Sequence, residues 1–289
     1  PNVPELERGK LVGTFVIERD GAGMKSSSPV NLFASDDEWT APIMAEVGPD
    51  GNVWVLDWYN YIVQHNPTPQ GFKTGKGAAY ETKLRDKKYG RVYRVVPDRP
   101  NTNADLALNA ASSATDLVAA LSDPTMQVRL SAQRLLVERQ EIDVVPELLK
   151  RIADPSVDAV GLNATAIHAL HTLKGLGVLE SDSGKAFDAV VAALSHPSAG
   201  VRLNAVRVLP ESKATFDALT AAGLITDEDH QVTLAALLKI SDTELIEAGP
   251  ALSEAVSDAK VANDRWLTDA ITSAGAMHAE SFLASTLAS

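Results

Sequence analysis

The sequence predicts an α+β chain built from two successive architectures: an antiparallel β segment over residues 1–100 and an all-α helical repeat over residues 101–289. Three observations carry that prediction. Residues 1–100 hold 13 Lys+Arg and 13 Asp+Glu; of the chain's 26 and 38, the rest therefore hold 13 and 25, the whole net charge of -12. Aromatic residues divide the same way, with all five Tyr and three of the four Trp before residue 100. Apolar residues form short β-branched runs closed by turn residues up to Val96, then take a helical period from about residue 112.

In the first hundred residues, Leu11–Glu18 is rich in β-branched and aromatic residues and ends at the turn signal Asp20-Gly21. Ala41–Val47 and Asn52–Trp58 flank Gly48-Pro-Asp-Gly51, which has good hairpin chemistry. Gly90–Val96 alternates polar and apolar residues until Pro97. The long polar stretch from Asn60 to Lys88 reads as a functional or covering loop. About four strands with aromatic interiors match one terminal blade of a β-propeller. A single blade cannot bury both its faces, so the reading expects a piece cut from a longer protein.

The remainder repeats a unit: an apolar helix, a break at (Ser/Ala)-(Asp/His)-Pro, then a second helix beginning Val-Arg-Leu or similar. Ser122-Asp-Pro124 leads to Val128-Arg-Leu130, Ala153-Asp-Pro155 to Gly161-Leu-Asn163, and Ser195-His-Pro197 to Val201-Arg-Leu203. Weaker copies lead to Val232-Thr-Leu234 and Arg265-Trp-Leu267. Leu130, Leu162, Leu203, Leu234 and Leu267 then mark the register at intervals of 32, 41, 31 and 33 residues, the long interval holding an inserted loop around Lys174–Gly184. About five helix pairs stacked so that each covers its neighbour's apolar face make a HEAT-like solenoid. Asp can cap and Pro tolerates the first helical turn, so Asp-Pro suits the junction.

Composition excludes several chemistries. Without cysteine there is no thiol catalysis, disulfide, Cys-ligated metal or C-x-x-C-H haem attachment. No apolar run approaches the roughly 20 residues of a membrane span, and the acidic balance argues against nucleic acid. Residues 1–10 show no signal peptide, and Pro1 in place of Met again suggests an internal start.

Ala34-Ser-Asp-Asp-Glu-Trp39, Val47-Gly-Pro-Asp-Gly51, Val53-Trp-Val-Leu-Asp-Trp-Tyr-Asn60, Gln64-His65, Leu84-Arg-Asp86 and Gly90-Arg-Val-Tyr-Arg94 together resemble the end of a particular propeller. It is similar to the membrane-bound dehydrogenase domain of large exported bacterial proteins, related to soluble quinoprotein sugar dehydrogenases. The resemblance covers residues 10–97, and the order of propeller then HEAT repeats covers most of the rest. It implies a periplasmic or secreted parent that uses pyrroloquinoline quinone (PQQ), calcium and haem c, the haem on a C-terminal cytochrome domain. This chain lacks cysteine, so the haem-carrying module falls outside it, and no cofactor is expected in this segment by itself. Tyr89 stands where the family often has His before the last Gly-Arg.

The resemblance picks out Asp57, Asn60, His65, Asp86 and Arg91 as a cofactor-binding cluster at a propeller mouth, for a quinone, a sugar or calcium. The plainer alternative has Asp57, Asn60 and Arg91 satisfying turn and loop backbone. Asp36-Asp-Glu38 before Trp39 reads as a cation or sugar site, or as a solvated acidic turn beside a buried Trp. Gly71–Gly77 lacks the spacing of a phosphate loop. His168 and His171 have chelating i, i+3 spacing but no third ligand nearby in sequence, and Arg129 and Arg202 read as structural ties between repeats. No catalytic or metal-ligating residue is assigned. The leading expectation is a non-catalytic scaffold that positions neighbouring domains of the same protein or binds a protein partner, its acidic excess favouring a basic surface. The alternatives are part of a quinone-dependent sugar or alcohol dehydrogenase passing electrons to a cytochrome, and a carbohydrate-binding β segment.

Overall fold

The structure, a computed structural model, describes residues 11–60, 88–98, 108–109, 111–243 and 247–288. Antiparallel strands precede twelve α-helices among the described residues, an α+β arrangement. The chain separates into two compact units: residues 1–18 with 26–105, and residues 19–25 with 106–289.

In the first unit, β1 (Leu11–Gly13) pairs antiparallel with β4 (Asn31–Ala34). The run Leu11–Glu18, read as one strand, is divided: β1 ends at Gly13 and β2 (Val16–Asp20) begins after Thr14-Phe15. β2 pairs with β3 (Gly23–Ser27) across the Asp20-Gly21 turn. The three-stranded sheet is β5 (Pro42–Val47), β6 (Val53–Asp57) and β7 (Arg91–Val95), all antiparallel, with β6 central. Its hairpin turn is Gly48–Gly51. The Gly51 N–H donates to the Gly48 carbonyl at 3.0 Å, and Gly51 takes φ +74°, where glycine has no Cβ to clash. Asp50 Oδ1 accepts from the Asn52 N–H and Trp54 Nε1, both at 3.1 Å, which locks the turn to the strand it starts. Val53, Val55 and Asp57 share one face of β6; Val55 is fully buried, and Phe33 packs on Tyr93 with ring centroids 4.9 Å apart.

The helices of the second unit are α1 (Ala114–Ala120), α2 (Met126–Glu138), α3 (Val145–Ile152), α4 (Ala164–Gly175), α5 (Lys185–Ala192), α6 (Ala199–Val208), α7 (Lys213–Ala221), α8 (His230–Ser241), α9 (Ala248–Val256), α10 (Ala259–Asn263), α11 (Arg265–Met277) and α12 (Ala279–Ala288). α2 packs on α4, α4 on α6, α6 on α8 and α8 on α11. None of the described helices is long and apolar enough to cross a membrane.

The (Asp/His)-Pro break has a specific physical job. Asp123 Oδ1 accepts from the Thr125 N–H at 2.7 Å, Asp154 Oδ1 from Ser156 at 3.0 Å, and Asp227 Oδ1 from Asp229 at 2.8 Å. His196 does the same with Nδ1, which accepts from Ser198 at 2.9 Å while Nε2 meets the Asp154 carbonyl at 2.8 Å. A neutral imidazole with its proton on Nε2 therefore replaces the carboxylate. Thr125, Ser198 and Asp229 are the N-caps of α2, α6 and α8, and Asn163 and Asp264 cap α4 and α11.

The caps correct the leucine register. Three residues after each cap stand Val128, Ala166, Val201, Val232 and Leu267, all buried. The cap intervals are 38, 35, 31 and 35 residues. Leu130, Leu203 and Leu234 lie five past their caps, but Leu162 precedes its cap and Leu267 lies three past. Leu130 and Leu162 are both exposed, so the recurrent buried position is the residue at cap plus three. The longest interval contains the Ala153–Asn163 connection, not the Lys174–Gly184 loop.

Residues 19–25 seat at the start of α8 and α11. Asp264 Oδ1 caps α11 through the Trp266 and Leu267 N–H groups, while Oδ2 accepts from the Ala22 N–H at 2.7 Å and meets His230 Nδ1 at 2.9 Å. Arg19 pairs with Asp229. A side chain at Gly21, at φ +61°, would overlap the Asp264 carboxylate.

Candidate functional site

The residues singled out by sequence fall around the end of β6. Asp57 is 3% exposed. Its Oδ1 accepts from the Ala41 N–H at 2.7 Å and the Tyr59 N–H at 2.8 Å, while Oδ2 is buried without a hydrogen-bond partner. Those two bonds anchor the β5 start to the β6 end and hold Tyr59 at φ +49°, a left-handed conformation unusual for a bulky residue. Asn60 is buried beside it.

Arg91 stands directly across the ladder from Asp57, but its guanidinium lies elsewhere. It sits 3.4 Å from the centroid of the Tyr59 ring, donates to the Tyr93 hydroxyl at 3.2 Å and lies 3.9 Å from Asp37 Oδ2. Tyr59 donates its hydroxyl to that same Asp37 oxygen at 2.8 Å, and its ring stacks on Trp39 at 6.1 Å. The bond to Asp37 raises the Tyr59 pKa above the usual phenol range, with burial adding to it. The bond to Tyr93 raises that of Arg91. Asp37 Oδ1 meanwhile accepts from the Trp39 N–H at 3.0 Å. The acidic turn and the β6–β7 end are thus one aromatic and charged cluster, Asp37–Trp39–Tyr59–Arg91–Tyr93.

Of the five residues in the sequence-derived cluster, Asp57, Asn60 and Arg91 are described; His65 and Asp86 lie outside the described residues, as does Gly71–Gly77. Sequence reasoning took Asp37 as a separate turn and gave Tyr59 and Tyr93 no role. The available signal was the density of aromatics at 39, 58, 59 and 93 around charged residues. Ile43, Leu56, Trp58 and Val92, together with Asp57, Gly90 and Arg91, line an open cleft of about 560 Å³, with Trp58 45% exposed.

Calcium is bound by six to eight oxygens. Asp57 offers one unpartnered oxygen, and among the described residues no group of three or more His, Asp or Glu is arranged to hold a metal. The described part of the cluster does not fit calcium. Haem c attachment does not fit a chain without cysteine. Among the described residues of the cluster Arg91 is the one suited to the carboxylates of a quinone, and its guanidinium is already held by Tyr59, Tyr93 and Asp37.

His168 and His171 turn to different helices. His168 Nδ1 meets Gln133 Oε1 of α2 at 2.7 Å, and His171 Nε2 meets Asn204 Oδ1 of α6 at 2.8 Å. They link the α2–α4–α6 row. Burial, then the Arg129 and His171 charges, push His168 down to about 4.

A family model described as "Domain of unknown function (DUF7133)" matches residues 7–99. No curated protein and no solved structure matches the chain.

Proposed function

We propose that the chain is a non-catalytic interaction scaffold: the terminal blade of a quinoprotein-sugar-dehydrogenase-like propeller followed by a HEAT-like solenoid, within an exported dehydrogenase-like bacterial protein. The observation that carries the solenoid reading is the serial packing of α2, α4, α6, α8 and α11, each begun by a cap and the first four joined by polar ties between neighbours. Such an array presents a long surface and transmits position between the domains at its ends. Dye-linked oxidation of sugars and alcohols by the parent protein, with and without His65→Ala, tests this proposal. Turnover that is lost on His65→Ala places chemistry inside this chain and overturns the non-catalytic reading. Unchanged turnover is the expected result.

Trp58 favours a second reading, because an exposed indole beside an apolar cleft is a platform for a sugar ring. Glycan-array binding by this chain that disappears in Trp58→Ala would establish it; an array without binding removes it.

A further inference from the structure

The stacked helices segregate charge. α4, α6 and α8 contain no Asp or Glu, yet they carry Lys174, Arg202, Arg207 and Lys239. Residues 101–289 as a whole hold 25 acids against 13 Lys+Arg. Arg202 is committed internally to Asp227. The other three meet at the C-terminal end of α6: Lys174 Nζ donates to the Arg207 carbonyl at 3.1 Å, and Lys239 Nζ to the Leu209 carbonyl at 3.0 Å. Burial and the neighbouring Lys174 hold the Lys239 ammonium below the usual lysine range, against the opposing pull of Glu211 and Asp242. Arg207 is exposed, and its guanidinium has no ion-pair partner among the described residues.

Beside this cluster the surface between α6 and α8 forms a groove of about 320 Å³. Leu203, Leu234 and Leu238 line it with Arg207 and Lys239, and Asp242 is its one carboxylate. Leu238 is 45% exposed. Apolar contact and an unengaged cation occur together here. Charges farther off than the Debye length of about 8 Å are screened at physiological salt, so these local cations decide what docks.

We propose that this groove docks an acidic amphipathic segment of a partner protein, with large apolar side chains set among Leu203, Leu234 and Leu238 and a carboxylate on Arg207. The proposal rests on the scaffold reading and gives its partner a chemistry opposite to the one the chain's net charge suggests. A 12-residue peptide display library selected on the whole chain tests it. Selected peptides are then titrated by fluorescence anisotropy against wild type, Arg207→Gln, Leu238→Gln and the remote control Lys213→Gln. Thermal melts first establish that the variants fold, and Arg207→Lys serves as a second, charge-keeping probe. The expected peptides place Asp or Glu beside Leu, Ile or Phe, and each groove variant binds them about tenfold more weakly while the control is unchanged. Binding also weakens as salt rises from roughly 50 to 300 mM. Enrichment of Lys/Arg peptides, no enrichment, or peptides indifferent to both groove variants overturns the proposal. His65-dependent turnover overturns the scaffold and leaves the anisotropy result standing.

Discussion

Arg129 and Arg202 occupy matching positions on α2 and α6, four residues past the caps Thr125 and Ser198, and the structure predicts very different consequences of removing them. Both turn Nη1 back onto the two carbonyls of the preceding break: Arg129 onto Asp123 and Pro124, Arg202 onto His196 and Pro197. Only Arg202 adds a forked pair to the turn before α8, Nε to Asp227 Oδ2 at 3.0 Å and Nη2 to Oδ1 at 2.8 Å, with both side chains under 10% exposed. Arg129 Nε is buried without a partner. Arg202→Met leaves a buried carboxylate uncompensated, at about 3–5 kcal/mol. Arg129→Met removes hydrogen bonds to neutral carbonyls, about 1–2 kcal/mol. For a unit of this size those losses lower the melting temperature by about 6–20 °C and 2–8 °C. Urea unfolding followed by circular dichroism measures both, and a cycle with Asp227→Leu isolates the pair, with a coupling of at least about 2 kcal/mol expected. Equal losses for the two arginines, or a coupling below about 0.5 kcal/mol, would refute the assignment of Arg202 as the tie between repeats.

Three further outcomes follow from the same geometry. His168 has its folded pKa at about 4, below the unfolded value near 6.5, so the unfolded chain binds the extra proton between those pH values and stability falls as pH drops through that window. The slope is at most about 1.4 kcal/mol per pH unit, and pH-dependent urea midpoints should flatten in His168→Gln. Gly21→Ala meets a positive φ and displaces the Asp264 carboxylate from the Ala22 N–H, a loss of about 2–4 kcal/mol with faster hydrogen exchange at Ala22; unchanged exchange would count against that seating. Asp57→Ala strands the Ala41 and Tyr59 N–H groups and costs about 2–4 kcal/mol, whereas Arg91→Ala, at an exposed pair, leaves the midpoint of the same thermal melts nearly unchanged.

What sequence reveals here depends on whether a feature is local. The β5–β6 hairpin is legible because Gly48–Gly51 encodes its own turn. β3 is not: Gly23-Met-Lys-Ser-Ser27 has no apolar alternation, four of its five residues are exposed, and it is a strand because it pairs with β2. The serial helix pattern is legible through its breaks, because an Asp two residues before a cap bonds within three residues of chain. Its phase is misread when leucines are aligned, since the buried position at cap plus three admits Val, Ala or Leu and so carries no single letter. At the candidate site, facing strands bring Asp57 and Arg91 opposite each other, as their place at the ends of two readable strands suggests. The Tyr59–Asp37 bond spans 22 residues and depends on a left-handed Tyr59, which no local pattern announces.

The acidity of the helical part has a structural origin that bears on function. Asp116, Asp123, Asp154, Asp158, Asp227, Asp229, Asp258 and Asp264 each accept a backbone N–H at or near a helix start or in a connecting turn. Helix starts leave N–H groups unpaired and carry partial positive charge, so a carboxylate there stabilises the helix by about 0.5–2 kcal/mol whatever its effect on partners. These eight are drawn from the 25 acids of residues 101–289, and a repeat with short helices multiplies such positions. The helix bodies of α4, α6 and α8, free of that demand, keep only cations. Part of the acidity of this chain therefore records its helix starts and connecting turns, and recognition has to be read from the faces between them.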